Sequence, residues 1–256
     1  MKIFIKIQTL IALLFFSYCG ANRIYTIGSY GSLKSYTEKQ HYEDKKTTET
    51  YLSGDLSIGK QLQEGGLYDD IKTILSINAH QNTTGRFYNY YYGLGASRGT
   101  YTFKQSFQDL IQSREKQNFY NIFLKAGGNI TYSRPKIDYR FIGLEFGYLY
   151  EYGPYQNKLD KLKKADYNTL KVVNQKFLLS YHFYSEYAFK ISKEEALTFG
   201  FYLGDILNLR DYDKYDKFNN SGYSFGFRFK DYTAHLMFES GNNGIRSGKF
   251  GLTYRL

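Results

Sequence analysis

Cysteine, proline and tryptophan are nearly missing from this chain of 256 residues, which has one cysteine, two prolines and no tryptophan. A single cysteine excludes an internal disulfide, so the fold must be stable without that crosslink. With so few prolines, long strands or helices can run without losing backbone donors. The apolar run at 10–16 is too short to cross a bilayer as a helix, which needs about 20 residues.

Aromatic residues and glycine are abundant instead, with 29 tyrosines, 21 phenylalanines and 24 glycines. This composition favours strands and turns over helices. The mean hydropathy of -0.52 shows that apolar residues do not dominate by number, so a pattern must organise them. The length allows one sizeable domain or at most two small ones.

The N-terminus has the layout of a secretory signal peptide over residues 1–18. Lys2 and Lys6 precede the apolar run, as the charged region of such a peptide precedes its hydrophobic region. Cys19 follows at once, and its position resembles that of the lipidated cysteine in bacterial lipoproteins. The resemblance implies lipidation at Cys19, and cleavage after Ala21 is the alternative. Both cleavages predict export from the cytoplasm.

The formal net charge is +10, or +8 without Lys2 and Lys6. On an exported protein this basic balance favours anionic lipid head groups or glycans as neighbours. No stretch combines basic and aromatic residues in the manner of a nucleic-acid-binding motif, so we expect no nucleic-acid partner.

Apolar and polar residues alternate with period two along most of the chain after residue 50. Near the C-terminus, Phe225, Phe227 and Phe229 occupy alternate positions. A two-residue turn at 230–231 would pair Phe229 with Tyr232, which keeps the apolar rows of both strands on one face. The alternation predicts ten strands, at 51–60, 70–81, 86–103, 118–132, 139–152, 174–191, 195–207, 221–229, 232–240 and 246–256.

The connections between these strands alternate between long and short. The long ones lie at 61–69, 104–117, 153–173 and 208–220, the short ones at 82–85, 133–138, 192–194 and 230–231, and 241–245 completes the series. This arrangement resembles bacterial outer-membrane β-barrels, whose turns are short on the periplasmic side and whose loops are longer outside. We therefore expect an all-β, closed antiparallel up-and-down transmembrane barrel of about ten strands, with both termini periplasmic.

Two alternatives stay open for the architecture. The irregular region before residue 50 could add two strands, giving twelve, and a secreted soluble barrel or sandwich would turn its aromatic face inward. Residues 19–49 are rich in charge and lack clean alternation. We expect a periplasmic tether or cap there, and the barrel domain at 50–256.

The last residues, GKFGLTYRL at 248–256, alternate as a closing strand. They also resemble the C-terminal assembly signal of outer-membrane barrels, at Lys249, Gly251, Tyr254 and Leu256. The resemblance implies the barrel-assembly machinery as a partner. Leu256 departs from the terminal Phe or Trp that is commoner in such signals.

The polar face of the strands predicts a network inside the barrel, formed by Lys125, Glu145, His182, Glu186, Arg228, His235 and Glu239. Two of these histidines are each followed by a glutamate four residues later, but residues four apart on a strand are roughly 13 Å apart. Neither pair is therefore a preformed dyad. The chain has no H-x-H or H-E-x-x-H pattern. We expect no catalytic residues, no metal site and no cofactor.

The long connection at 153–173 carries a basic patch made of Lys158, Lys161, Lys163 and Lys164. Leu159, Leu162 and Ala165 recur there at helical spacing, which predicts a short amphipathic helix outside the membrane. Its expected neighbour is the phosphate layer of lipopolysaccharide, and an ordinary solvated loop is the alternative.

The function we expect is that of a non-enzymatic outer-membrane barrel with a plugged or narrow lumen, acting through its outer loops in surface binding or envelope integrity. A narrow channel for small solutes is the alternative. A barrel enzyme and a soluble secreted β-protein fit the pattern less well. Outer-membrane lipids and lipopolysaccharide are the expected partners.

Overall fold

The structure, a computed structural model, describes residues 23–42, 45–61, 69–104, 106–107, 109–165, 170–209, 219–241 and 245–256. Within these ranges, ten antiparallel strands form a closed barrel in which neighbours along the chain pair and the last strand pairs with the first. The barrel strands are Thr47–Gln61 (β2), Asp70–Thr84 (β3), Tyr88–Thr102 (β4), Lys116–Arg134 (β5), Ile137–Tyr152 (β6), Phe177–Lys190 (β8), Glu195–Ile206 (β9), Asn220–Phe229 (β10), Tyr232–Gly241 (β11) and Ile245–Arg255 (β12). Two short strands, Arg23–Tyr25 (β1) and Leu170–Val172 (β7), pair in parallel, and an α-helix, Pro154–Lys164 (α1), precedes β7.

This closed ten-stranded barrel confirms the predicted up-and-down architecture. The register predicted at the C-terminal hairpin is present, because Phe229 pairs with Tyr232 and Phe227 with Ala234. β12 pairs with β2 and so closes the sheet. The alternative of twelve barrel strands is wrong, because β1 and β7 form a separate two-stranded sheet.

The strands carry their apolar residues on the outer surface and their polar residues inside. On β3, Leu75 and Ile77 are 60% and 62% exposed, whereas Asn78 and His80 are each only 2% exposed. This is the reverse of a soluble fold, in which large apolar side chains are the buried ones. Period-two alternation therefore builds a barrel with an apolar outside and a polar lumen.

The two ends of the barrel differ in the length of their connections. One end, here called the turn end, has the short connections at 85–87, 135–136, 191–194 and 230–231. The opposite end, here called the loop end, has the connections at 62–69, 103–115, 153–176, 207–219 and 242–244. Both sets lie where the alternation of long and short connections predicted them.

Residues 26–42, here called the lumenal segment, run through the interior of the barrel without forming a helix or strand. Gly28 contacts Glu151, which lies at the loop end of β6, and His41 contacts Asp138, which lies at the turn end of the same strand. The segment therefore threads the lumen from end to end. Of the expected tether or cap at 19–49, residues 26–42 thus lie inside the barrel, where Lys34 and Lys39 pair with glutamates of the wall.

The threading also separates the two ends of the described chain. Tyr25 lies at the loop end, where its carbonyl accepts a hydrogen bond from the Val173 backbone N–H at 2.8 Å. Leu256 lies at the turn end, where its backbone N–H donates to the Thr50 carbonyl at 2.9 Å. The described chain thus begins at the loop end and finishes at the turn end, and the location of both termini in the periplasm stays a prediction.

An aromatic cap covers the loop end. The α1 helix was predicted from the spacing of Leu159 and Leu162, and both side chains are buried in it together with Tyr155. Tyr155 stacks on Tyr101 with ring centroids 4.5 Å apart and packs near Phe103 at 6.0 Å. The helix thus closes over the barrel mouth through its apolar face. In the described part of the chain, no helix has the length and apolar character needed to cross a bilayer.

Candidate functional site

The lumenal segment is held by hydrogen bonds from basic side chains of the barrel wall to its backbone carbonyls. Lys249 Nζ lies 2.6 Å from the Lys34 carbonyl oxygen, and Arg140 Nη2 lies 2.7 Å from that of Lys39. Lys72 Nζ contacts two further carbonyls of the segment at 3.3 Å. An irregular backbone in a closed space must have such donors, because an unpaired buried carbonyl is costly. These inward cations therefore act as hydrogen-bond donors to the segment.

Two ion pairs add to this attachment. The Lys39 ammonium lies 2.6 and 2.7 Å from the two carboxylate oxygens of Glu186, and Arg140 approaches the same carboxylate at 3.5 Å. The Lys34 ammonium lies 3.1 Å from a carboxylate oxygen of Glu145. All of these side chains are buried, so breaking one partner leaves an uncompensated charge in the interior. The two lysines of the segment thus each have a buried glutamate of the wall as their counter-charge.

Glu151 fastens the segment at the loop end. Its carboxylate accepts hydrogen bonds at 2.9 Å from the backbone N–H groups of Gly28 and Ser29 and from the Ser29 hydroxyl. It also accepts one from the Gln156 side-chain amide at 2.7 Å. Because Gln156 belongs to α1, this one carboxylate joins the barrel wall, the lumenal segment and the capping helix.

His235 pairs with Asp55 across an intervening strand. The His235 Nε2 atom lies 2.5 Å from a carboxylate oxygen of Asp55, and its ring stacks on Tyr36 with centroids 4.3 Å apart. Gly251 of β12 lies between them in the sheet, and a Cβ at that position would stand 2.4 Å from both partners. A residue without a side chain is therefore required at position 251 for the pair to form.

Lys125, His182 and Glu239 of the predicted interior network also face the lumen. The two histidines of the network do not pair with the glutamates that follow them four residues later. Lys125 Nζ bonds the Ser35 hydroxyl at 2.8 Å and two further oxygens of the lumenal segment. His182 lies 3.6 Å from Glu145 and not against Glu186. Glu239 accepts from the hydroxyl of Tyr202 at 3.0 Å. The structure brings neither His–Glu pair of the sequence together.

The space beside Glu145 and His182 is small. The cavity next to Glu145 and His182 measures about 20 Å³, which holds about one water molecule. Within the residues that the structure describes, no three metal-ligating side chains come together.

A G-x-S-x-G sequence occurs at 222–226, the pattern of the serine nucleophile of hydrolases. That nucleophile stands on a turn between a strand and a helix, whereas these residues lie in the middle of β10. The Ser224 side chain is buried against the neighbouring strand, since a Cβ at Gly200 would meet its hydroxyl at 2.5 Å. The local structure therefore differs from a nucleophile elbow.

The four lysines of the predicted basic patch on α1 differ in exposure. Lys158 is partly buried and forms an ion pair with Glu115 at 2.7 Å. Burial alone would raise the pKa of the Glu115 carboxyl, but hydrogen bonds from Lys158 and neighbouring groups hold it below its usual value. Lys161, Lys163 and Lys164 are exposed near the C-terminal end of the helix, where positive charge is favourable.

The residues of the predicted assembly signal lie on both faces of β12. Lys249 and Gly251 face the lumen, while Tyr254 and Leu256 point outward and are 40% and 69% exposed. The first two have structural roles in binding the segment and admitting the His235 pair, so the assembly signal stays a prediction. The predicted lipidation residue, Cys19, lies outside the described residues.

Several wall residues that bind the lumenal segment are absent from the predicted network, namely Lys72, Asp138, Arg140 and Glu151. Asp55, which pairs with His235 on the wall, is absent from it as well. Asp55 could have been found from the sequence, because it shares the inward parity of Ser53 and Ser57. The partners in the lumenal segment carried no such signal, since 26–42 has no period.

Comparisons with known proteins give structural likeness without sequence similarity. No protein-family model matches the chain, and no curated protein resembles it in sequence. The translocator domain of the autotransporter NalP from Neisseria meningitidis is 12% identical, with a TM-score of 0.46 over 82% of this chain and 88% of that one. The beta domain of the Bordetella autotransporter BrkA is 9% identical, with a TM-score of 0.47 over 82% of this chain and 99% of that one. The KdgM porin in complex with disordered oligogalacturonate is 7% identical, with a TM-score of 0.32 over 79% of this chain and 98% of that one. Likeness at this level transfers no residue role.

Proposed function

We propose that the protein is a bacterial outer-membrane barrel closed by its own lumenal segment, which works through its loop end and does not catalyse a reaction. The observation that carries this proposal is the threading of 26–42 through the lumen, with ion pairs to the wall such as that of Lys39 with Glu186. A diffusion pore needs a continuous water path, and the segment occupies the place where that path would run. The small space beside Glu145 and His182 supports a role without a substrate in the lumen.

A membrane location is supported by the outer surface. Its large apolar side chains stand exposed on strand after strand, as Leu94, Ile122 and Phe250 do at 62%, 53% and 57%. In water such a surface would favour aggregation, whereas in lipid it is the stable arrangement for a closed barrel with paired backbone groups. We propose that the loop end faces outward, in keeping with the length of its connections.

Planar-bilayer recording tests the closure. The full-length protein, inserted into a bilayer, is expected to give no steady single-channel current, because the ion pairs and carbonyl contacts hold 26–42 in the lumen. Insertion is checked in parallel by heat-dependent mobility on gels. Steady currents from the inserted wild-type protein would contradict closure and favour the alternative of a narrow channel for small solutes.

The exposed lysines of α1 support lipopolysaccharide as a neighbour of the loop end, because its phosphate groups lie at the level of such a helix. Replacing Lys161 and Lys164 with glutamine is expected to weaken binding of lipopolysaccharide severalfold at low salt, measured by titration calorimetry in nonionic detergent. The matched control is Lys45→Gln with Lys46→Gln, which removes two exposed lysines at the turn end. Equal weakening by the control would show that binding follows net charge and not this helix.

A further inference from the structure

A basic cleft lies at the turn end of the barrel. It measures about 850 Å³ and opens between the turns at 85–87, 133–136 and 190–193, where the lumenal segment ends at His41 and Tyr42. This volume is in the range of small-molecule binding sites, about 300–1,000 Å³. None of the functions proposed above uses it.

The cleft gathers cations from separate parts of the chain. Its basic lining residues are Arg86, Arg134, Lys136, Lys190, Lys193 and Arg228. Of these, Lys190 is compensated by Asp138 at 2.8 Å. The others form no ion pair with any residue that the structure describes. The cleft is thus positive, and Asp138 compensates only Lys190 among these cations.

Arg228 stands at the base of the cleft and is only 9% exposed. Its Nε atom is buried and has no hydrogen-bond partner. An unpaired buried donor on a charged group is costly, and buried arginines are ordinarily paired. A guanidinium left free at the bottom of an open cleft therefore points to an anion that enters from outside.

Two further arginines are held by aromatic rings at the rim. The Arg86 guanidinium lies over the Phe87 ring at 5.0 Å, and that of Arg134 lies over the Tyr132 ring at 4.9 Å. Such contacts order a guanidinium without using its hydrogen-bond donors. The donors of both arginines remain available to a ligand.

We propose that this cleft binds an anion that carries phosphate groups. Guanidinium groups suit both carboxylate and phosphate, but a carboxylate is planar and is matched by one guanidinium fork. A phosphate presents at least three acceptor oxygens in different directions. Donors that approach from three turns and from the base of the cleft match the second geometry. His41 and Tyr42 of the lumenal segment also line the cleft, but its cations belong to the barrel strands and turns, so loss of closure and loss of phosphate binding can be told apart.

Calorimetric titration with pyrophosphate tests the proposal on the full-length protein in nonionic detergent. Saturable binding with one site is expected, weakened about tenfold or more in Arg228→Gln and in Arg134→Gln, since each variant loses a charge-assisted contact. Arg134 is an exposed turn residue, so its replacement keeps the assay informative if Arg228→Gln folds poorly. The matched control, Arg114→Gln with Lys116→Gln, removes two exposed cations at the loop end and is expected to bind as the wild type does.

The proposal would be overturned by absence of saturable binding, by equal weakening in the loop-end control, or by tighter binding of citrate than of pyrophosphate. Glu43 and Asp44 follow Tyr42 in the sequence and lie outside the described residues. Binding that appears only after Glu43→Gln with Asp44→Asn would likewise overturn it, since the chain would then supply the anion itself.

A second experiment distinguishes a lipid head group from a soluble phosphate compound as the ligand. The protein is placed in nanodiscs of phosphatidylcholine alone or with phosphatidylglycerol, and pyrophosphate binding is measured in both. Competition by phosphatidylglycerol identifies a lipid head group as the ligand, and unchanged binding identifies a soluble phosphate compound. Both results support phosphate recognition by the cleft.

Discussion

Replacement of Glu186 with alanine is expected to destabilise the folded protein by about 3–5 kcal/mol and to loosen the lumenal segment. The Glu186 carboxylate contacts the Lys39 ammonium at 2.6 Å and the Arg140 guanidinium at 3.5 Å, and all three side chains are buried. Removing this carboxylate leaves the buried Lys39 ammonium without its ion-pair partner and takes from Arg140 the carboxylate that it contacts. The segment relieves this cost when Lys39 moves out of the lumen into water.

The measurement combines the unfolding midpoint with planar-bilayer recording. Glu186→Ala is expected to lower the midpoint and to produce currents that the wild type lacks. Glu239→Ala is the matched control, because Glu239 is another buried lumenal glutamate whose hydrogen bonds, from Tyr202 and Asn220, go only to the wall. Currents of equal size from the control would mean that closure does not depend on the contact between Lys39 and Glu186.

A double replacement separates the pair from its surroundings. Lys39→Met combined with Glu186→Leu removes both charges and keeps apolar volume, so it is expected to be less destabilised than Glu186→Ala alone. Arg140 keeps its bond to the Lys39 backbone carbonyl at 2.7 Å in this variant. A double variant as unstable as the single one would place the cost on Arg140 rather than on Lys39.

The barrel could be predicted from the sequence because its physics is local. In a closed sheet between an apolar outside and a polar lumen, successive side chains of a strand face the two environments in turn. Apolar and polar residues therefore alternate along the sequence of each strand. Phe225, Phe227 and Phe229 show it directly, and the pairing of Phe229 with Tyr232 follows from the turn. The number of strands and their register could therefore be predicted from the sequence.

The lumenal segment could not be predicted in the same way. Its residues make no regular hydrogen bonds with one another, so no period marks them. Several of its backbone carbonyls instead accept hydrogen bonds from wall residues far away in the chain, as that of Lys34 does from Lys249. A charge-rich sequence without alternation is equally typical of a solvated tether, and only the three-dimensional arrangement of its partners distinguishes the two.

Partnerships inside the lumen were beyond sequence reasoning for a related reason. Inward parity places His235 and Asp55 on the lumenal face, but they are 180 residues apart in the chain and lie on strands that are not neighbours. Their contact requires Gly251 on the strand between them. The sequence predicted which residues face inward, while the choice of partners depends on barrel curvature and on the segment inside.

Replacement of Tyr155 with alanine is expected to remove the aromatic cap at the loop end, at a cost of about 3–5 kcal/mol. The Tyr155 ring stacks on Tyr101 at 4.5 Å and lies 5.9 Å from Phe119. Its hydroxyl donates to the Thr26 carbonyl at 2.7 Å, at the start of the lumenal segment. The variant therefore loses both the packing of α1 on the barrel and one attachment of the segment.

Tyr155→Phe is the control that keeps the ring and removes only the hydroxyl, and it is expected to cost about 1 kcal/mol. Limited proteolysis, read by mass spectrometry, is expected to cut Tyr155→Ala within 153–176 well before the wild type, with the barrel strands protected. Cutting of the control at the same rate would assign the cap to the Thr26 hydrogen bond and not to the aromatic packing.

The same variant shows whether the lumenal segment leaves the barrel as one unit. Glu151 still holds Gly28 and Ser29 in Tyr155→Ala, and the pair of Lys39 with Glu186 lies further inside. If these attachments are independent, Tyr155→Ala exposes the loop end to protease without producing currents. If it conducts as Glu186→Ala is expected to, loss of the cap releases the whole segment, and the loop end controls the opening of the lumen.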